Sequence, residues 1–385
     1  MTFERTDFIL ANARIVLAGD VIQSGWVACV DGAIVEIGEG RAPERGLDLA
    51  GDLLMPGLVE LHTDHIEAHY MPRPKVYWDP VAAVVSYDGQ LAISGITTVF
   101  DSLRVWREAG IEEIDGQATL LADAIASARE AELLRVDHFL HLRCEVPMPS
   151  VVEEATELFG HAEVRLVSLM DHTPGQRQFR DDEKLRLYYR SKKGGLTDEA
   201  LEALFAQRIQ YQTAYAARNY QALIALARTK GTPLASHDDT TPEHVAQAMR
   251  DGIAIAEFPT TVEAATALHA AGIRVLMGAP NLVRGGSHTG NVATLDLARA
   301  GVLDILSSDY VPASLLMATL ALPRLVPGID LPAAVRMVTR TPAGAVGLTD
   351  RGEIAPGKRA DLIRVHVAGD MAAVRNVWRR GERVA

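Results

Sequence analysis

The chain has 385 residues, and 38 Lys and Arg against 50 Asp and Glu leave a formal net charge of −12, which excludes the basic surface of a general nucleic-acid binder. Two cysteines, Cys29 and Cys144, exclude a disulfide scaffold and a cysteine-built zinc cluster. A 48% hydrophobic composition with no long uninterrupted apolar run, and no secretion-type stretch in Met1–Leu10, leads to the expectation of a cytoplasmic enzyme without a membrane span. The first fifty residues read as short strands: Ile15–Gly38 alternates apolar and polar residues, with turn signals at Gly19-Asp20 and Asp31-Gly32. The last thirty-four, from Gly352, look the same. One β-sandwich domain built from residues 1–54 and 350–385 is the economical expectation.

From 55 to 349 the pattern changes to short apolar runs alternating with helical segments. Eight buried strands are expected, ending near His62, Asp101, Glu145, His172, His237, Pro259, Asn281 and Asp309. Thr241-Pro242 marks one helix start, with Gly252 past its end, and Thr260-x-x-Glu263 reads as a capping box with Gly272 closing that helix. Eight strand–helix units predict a (β/α)8 TIM-like barrel; the competing doubly wound sheet lacks a GxGxxG after its first strand. The long stretch between His172 and His237 holds a helical insertion near 177–230, read either as a lid carrying phosphate-binding cations or as a solvated hairpin or homo-oligomer contact.

Barrel enzymes build their sites at the C-terminal strand ends, and alternation tests which side chains converge there. It places Glu60, His62 and Asp64 on one face, and His141, Arg143 and Glu145 on another. Ser168 and His172, Ala235 and His237, and Ser307 and Asp309 follow the same rule. Burying three histidines and three carboxylates without a cation would leave uncompensated charge. His62, Asp64, Glu145, His172, His237 and Asp309 are therefore the expected ligands of one or two divalent ions. Their nitrogen and oxygen donors suit zinc, with manganese or magnesium as alternatives. Arg143, one layer below Glu145, is expected to hold that carboxylate, and Asp238 or Asp239 to orient an imidazole. Asp101 is read as a helix cap, His65 as pointing off the lumen, Cys144 as core, and His138, His161, His244, His269 and His366 as structural or exposed.

PGLVELHTDH (Pro56–His65) resembles the first-strand metal motif of the amidohydrolase superfamily, and GEIAPGKRADL (Gly352–Leu362) resembles its C-terminal return to a small β domain. Between Pro56 and Leu316, the blocks HTDHIEAHYMPRPKVYWDP, ISGITTVFDS, HLRCEVP, LVSLMDHTPGQRQF, ASHDD, AEFPTT, LMGAPNLVRGGSHTGN and DILSSDYVPASLL resemble the PhnM family of the carbon–phosphorus lyase pathway. The resemblance implies a metal-dependent hydrolase that converts α-D-ribose 1-methylphosphonate 5-triphosphate to the 5-phosphate and pyrophosphate. It also implies Asp309 as the base that takes a proton from water. Two features depart from the wider superfamily. Its His-x-His pair is here His62-Thr63-Asp64, and none of Lys75, Lys184, Lys192, Lys193, Lys230 and Lys358 ends an expected strand to serve as a bridging carboxylated lysine. Glu145 is the substitute.

A phosphorylated sugar needs cations. Arg73 and Lys75 follow the first strand and Arg177 the fourth, and Arg284, Ser287 and His288 flank the Gly285-Gly286 pair after the seventh. Surface turns are the competing reading of both the MPRPK and Gly-Gly segments. The alternative function is a C–N hydrolase, a cyclic amidase or deacetylase, on the same scaffold; a neutral amide would not need those cations.

Overall fold

Strict alternation at the N-terminal end becomes β1 (Phe8–Val16), β2 (Val21–Val30), β3 (Ala33–Glu39), β4 (Leu47–Asp48) and β5 (Leu53–Pro56). The computed structural model describes residues 7–106, 117–177, 197–287 and 290–385. The apolar runs form β6 (Leu58–Thr63), β7 (Ile96–Val105), β8 (Asp137–Glu145), β9 (Val164–Met170), β10 (Leu234–His237), β11 (Ile255–Glu257), β12 (Arg274–Gly278) and β13 (Ile305–Ser307). All eight pair in sequence order as parallel neighbours. A parallel bridge between Thr63 and Asp309, with Asp309 N–H donating to the His62 carbonyl at 3.2 Å, draws the last strand end to the first. This is the expected TIM-like barrel. Val59, Leu61, Phe100, Leu166, Ala235, Ile255, Leu276 and Ile305 form its buried apolar floor.

The chain ends meet as expected, in one sheet rather than two. Its order is β16–β15–β14–β5–β1–β2–β3, with β14 (Leu362–Ala368), β15 (Met371–Arg379) and β16 (Glu382–Arg383) from the C-terminus and β4 beside β1. The sheet curls over its own core of Leu10, Ile15, Val27, Ile34, Leu54 and Trp378. Ile34 N–H donates to the Lys358 carbonyl and Gly357 N–H to the Ile34 carbonyl, both at 2.8 Å, so the far edge strand closes against the segment before β14. The chain passes from this sheet into the barrel through Gly57. A Cβ there would sit 2.2 Å from Thr97 Oγ1, so only glycine fits.

Two helices bear on the site from the start of the barrel, α1 (Ile66–Tyr70) and α2 (Pro80–Ile93). Asp79 caps α2, accepting from Ala82 N–H at 2.8 Å, and Pro80 follows at the first helical position. Thr241 caps its helix as expected, with Gly252 in the left-handed conformation at the end. The next helix is capped by Thr261, not Thr260. Thr260 belongs to the preceding loop, where its N–H donates to the Asp239 carbonyl (2.9 Å) and its hydroxyl to Thr240 (2.8 Å). Part of the expected insertion, 178–196, lies outside the described residues. The remainder is helical: Asp198–Tyr211, capped by Thr197, runs through a π turn at Gln212–Ala216 into Ala217–Lys230. Among the described residues no helix is long and apolar enough to cross a membrane.

Candidate metal centre and its family

The strand ends deliver a buried cluster of imidazoles and carboxylates. β10 ends in His237 and β11 in Glu257, which are parallel register partners. His237 Nδ1 lies 3.2 Å from Glu257 Oε2, and His62 Nδ1 lies 2.9 Å from Glu257 Oε1. The Ser168 hydroxyl donates to Glu257 Oε2 at 2.6 Å, and His141 Nε2 sits 2.5 Å from Ser168 Oγ. Burial alone would raise the Glu257 pKa, but His62 and His141 overcome it and hold the carboxylate well below its ordinary range. The His62 and His237 rings stack with centroids 5.7 Å apart, and Phe258 stands edge-on to both.

A second carboxylate–imidazole unit faces the first. Glu145 ends β8 and accepts from the His172 backbone N–H at 2.7 Å, while His172 Nδ1 lies 2.5 Å from its other oxygen. Burial pushes Glu145 up, but His172, and further off Arg208, bring it down to about 2. His172 Nε2 and His237 Nε2 then point to one atom, Asp238 Oδ2, at 3.8 and 3.6 Å. Those separations exceed hydrogen-bond length. Asp238 is 3% exposed, and its Oδ2 has no hydrogen-bond partner. Burial raises the pKa of this carboxylate, against the pull of His237 and His172. Two ligands of one zinc ion, each about 2.1 Å from it, stand roughly 3–4 Å apart. The donor set and the unpartnered oxygen therefore fit a divalent cation.

Backbone strain marks the same strand ends. Asp238, Phe258 and Asp309 take φ values of 55°, 54° and 54° without being glycine. Such conformations cost about 1 kcal/mol or more and persist where surroundings enforce them. Asp309 carries its carboxylate over Gly278: a Cβ at Gly278 would lie 3.6 Å from Asp309 Oδ2 and 3.7 Å from the Phe258 ring. Asp309 and the ring that flanks His62 and His237 thus both border Gly278.

His62, Glu145, His172, His237 and Asp238 thus form one connected cluster, with Asp309 placed beside Gly278 at its edge. Asp64 feels the His62 imidazole, but its carboxylate is held chiefly by two arginines. Arg104 Nη2 and Arg143 Nη1 both donate to its Oδ2 at 3.2 Å, and they override burial to bring its pKa down to about 2. Arg143 therefore holds Asp64, not Glu145, whose oxygens are taken by His172. The register of β6 against β7 slips between Glu60 and Thr63, so alternation does not carry through the first strand. Val59 and Leu61 join the barrel floor, while Glu60 accepts from His62 N–H at 2.7 Å and from Ser308 N–H. Burial raises Glu60 to about 7.

The expected phosphate contacts are dispersed. Arg73 and Lys75 are exposed on a turn closed by Val76 N–H to the Arg73 carbonyl (3.0 Å), with Lys75 at φ 64°. Arg177 Nη1 donates to the His237 carbonyl at 2.6 Å and to Asp239 Oδ1 at 2.8 Å, bracing the end of β10. Arg284 Nη1 donates to the Tyr310 hydroxyl at 3.3 Å, next to Asp309. Ser287 is half-buried, and His288 lies outside the described residues.

One further reading is corrected. Asp101 is no helix cap: β7 runs on to Val105, and Asp101 Oδ2 takes His138 Nδ1 at 2.8 Å. His138 is structural, as expected, and buried, with its Nε2 facing Asp88 at 3.4 Å on the other side. Glu257 was missed because β11 ends on it, two residues before the expected end at Pro259. Arg104, Arg208 and Asn219 were also missed. The Asn219 amide donates to the carbonyls of Val146 (3.0 Å) and Met148 (2.8 Å), tying the long helix to the loop after Glu145. His65, with Nε2 3.1 Å from Gln90 on α2, and Cys144, fully buried, sit as expected.

The model of the amidohydrolase family matches residues 114–385. A relative from Escherichia coli (strain K12), α-D-ribose 1-methylphosphonate 5-triphosphate diphosphatase, is 43% identical over 381 residues, covering 98% of this chain and 100% of its own. Among solved structures, 5-methylcytosine deaminase from Klebsiella pneumoniae shares the fold with a TM-score of 0.65 at 17% identity over 98% of both chains. N-acetyl-D-glucosamine-6-phosphate deacetylase from Mycobacterium smegmatis does so with a TM-score of 0.61 at 20% identity, over 98% of this chain and 100% of its own. With the family matched over more than half of its length, and a relative aligned nearly end to end, the chain belongs to the amidohydrolase family.

Proposed function

We propose that the chain is a metal-dependent phosphoanhydride hydrolase that converts α-D-ribose 1-methylphosphonate 5-triphosphate to the 5-phosphate and pyrophosphate. The substrate is that named for the Escherichia coli relative. The observation that carries the metal dependence is Asp238 Oδ2, buried without a partner and faced by the Nε2 atoms of two histidines. His172, His237 and Asp238 would hold the ion, with His62 and Asp309 beside them and zinc the best match to the donors. A divalent ion held there supplies Lewis acidity toward phosphoryl oxygens and toward water.

The chain supplies the rest. Hydrolysis forms a bond from a water oxygen to phosphorus, breaks the bridging P–O bond, and requires one proton to leave the water. The Asp309 carboxylate accepts that proton and later returns it toward the departing pyrophosphate. Glu145 and Glu257 keep the imidazoles oriented while charge moves. Arg104 and Arg143, side by side on β7 and β8, and Arg284 with Ser287 supply donors for phosphoryl oxygens, and Arg73 and Lys75 add positive charge at the rim. Arg177 acts by holding the β10 end. The test is pyrophosphate release from the 5-triphosphate by protein stripped of metal and then supplied with zinc, manganese or magnesium, alongside an N-acetyl amide. Pyrophosphate release only with metal supports the reading, and amide turnover without pyrophosphate refutes it.

A further inference from the structure

Glu257 is the hub of the imidazole cluster, and its two oxygens are divided. Oε1 faces His62 Nδ1 at 2.9 Å, and Oε2 faces His237 Nδ1 at 3.2 Å while also taking the Ser168 hydroxyl at 2.6 Å. The residue is 0% exposed. A carboxylate only accepts hydrogen bonds. Each nitrogen facing it must therefore carry a hydrogen, which leaves Nε2 of a neutral ring with the lone pair. The two rings stack at an interplanar angle of 21°, so with both Nδ1 atoms on one carboxylate both Nε2 atoms turn away from it together. For His237 that direction is Asp238 Oδ2.

We propose that Glu257 is a positioning residue: a single buried carboxylate on β11 that sets the Nδ1–H tautomer of His62 and His237 at once, so that both Nε2 atoms are available to a cation. His62, His237 and Glu257 could also be taken as three ligands of one ion, since their donor atoms cluster. The contacts speak against that. Both Glu257 oxygens already stand at hydrogen-bond distance from imidazole nitrogens, whereas Asp238 Oδ2 is the atom without a partner. Ser168 and Ile255 explain how the carboxylate is held: the hydroxyl fixes Oε2 from β9, and Ile255 anchors the strand in the apolar floor below. The inference rests on the proposed metal centre, not on the identity of the substrate.

Nitrogen-15 NMR of histidine-labelled, metal-free protein reads the tautomers directly, with His62→Gln and His237→Gln used for assignment. Wild type is expected to show Nδ1–H on both rings. Glu257→Gln keeps the shape but offers one acceptor oxygen and two N–H donors, so at least one of the two rings should change tautomer. Zinc titrated into the same metal-free variant should bind about 10–100-fold more weakly. An Nε2–H tautomer on both rings of the wild-type protein overturns the proposal without any variant. So does a Glu257→Gln protein with wild-type tautomers. A variant that loses zinc affinity with its tautomers intact would make Glu257 a ligand instead. Neither readout involves the triphosphate, so a wrong substrate would leave the result standing.

Discussion

A buried carboxylate oxygen without a donor costs about 1–3 kcal/mol, and Asp238 Oδ2 is such an atom at the meeting point of two imidazoles. A bound cation converts that penalty into binding energy. Asp238→Asn is therefore expected to weaken zinc binding at least about tenfold while leaving the metal-free protein as stable as wild type or more so. Calorimetric zinc titration and urea unfolding check the two halves, and unchanged zinc affinity would refute the assignment. Asp309→Asn differs in kind. It should retain metal yet lose roughly 100-fold or more in turnover, the usual share of a general base; full turnover would remove Asp309 from the proton path. At this scale the sequence was readable wherever alternation held, as for His141, Glu145, His172 and His237. It failed on the first strand, because the register slip after Glu60 sends Leu61 to the floor and leaves Asp64 between Arg104 and Arg143. Glu257 escaped for another reason: its strand is only three residues long and ends two residues before Pro259, so the pattern does not single it out as a terminal side chain.

At the scale of elements, α2 is locked to the barrel wall by His138. Asp88 on α2 accepts from Arg135 N–H at 2.8 Å and Val136 N–H at 2.9 Å, and His138 lies between Asp88 and Asp101. Burial by itself would lower the His138 pKa; Asp101 first and then Asp88 reverse this and raise it to about 9. In an unfolded chain the value is about 6.5. The imidazolium's contribution is thus complete below about pH 6.5 and is lost as pH rises through about 9. The stability gap between wild type and His138→Gln should narrow between those limits, and a gap independent of pH would contradict the pairing. This network was illegible from sequence because its three members come from separate elements, α2, β7 and β8.

At the scale of the molecule, the small sheet is fastened to the barrel by charge. Asp137, the first residue of β8, accepts from Arg351 at 2.8 Å and from Arg359 at 2.7 Å, with Arg379 nearby at 3.5 Å. Burial would raise its pKa, but Arg359, Arg351 and Arg379 bring it down to about 2. Asp137→Ala should cost about 2 kcal/mol, below the range for breaking a fully buried pair because the site is partly open to water. Urea unfolding measures it, and a loss below experimental error would sink the clamp. The barrel and the meeting of the chain ends were legible, since both follow from periodicity and turn residues. The single curled sheet was not, because alternation does not say how many sheets its strands share. The account as a whole stands on one place for the ion. A zinc-edge anomalous difference map of zinc-loaded crystals should show a peak about 2.0–2.2 Å from Nε2 of His172, Nε2 of His237 and an Asp238 oxygen, with Glu145 and Glu257 on the opposite nitrogens. A peak on Asp64 or on Glu257, with Asp238 uncoordinated, would contradict it.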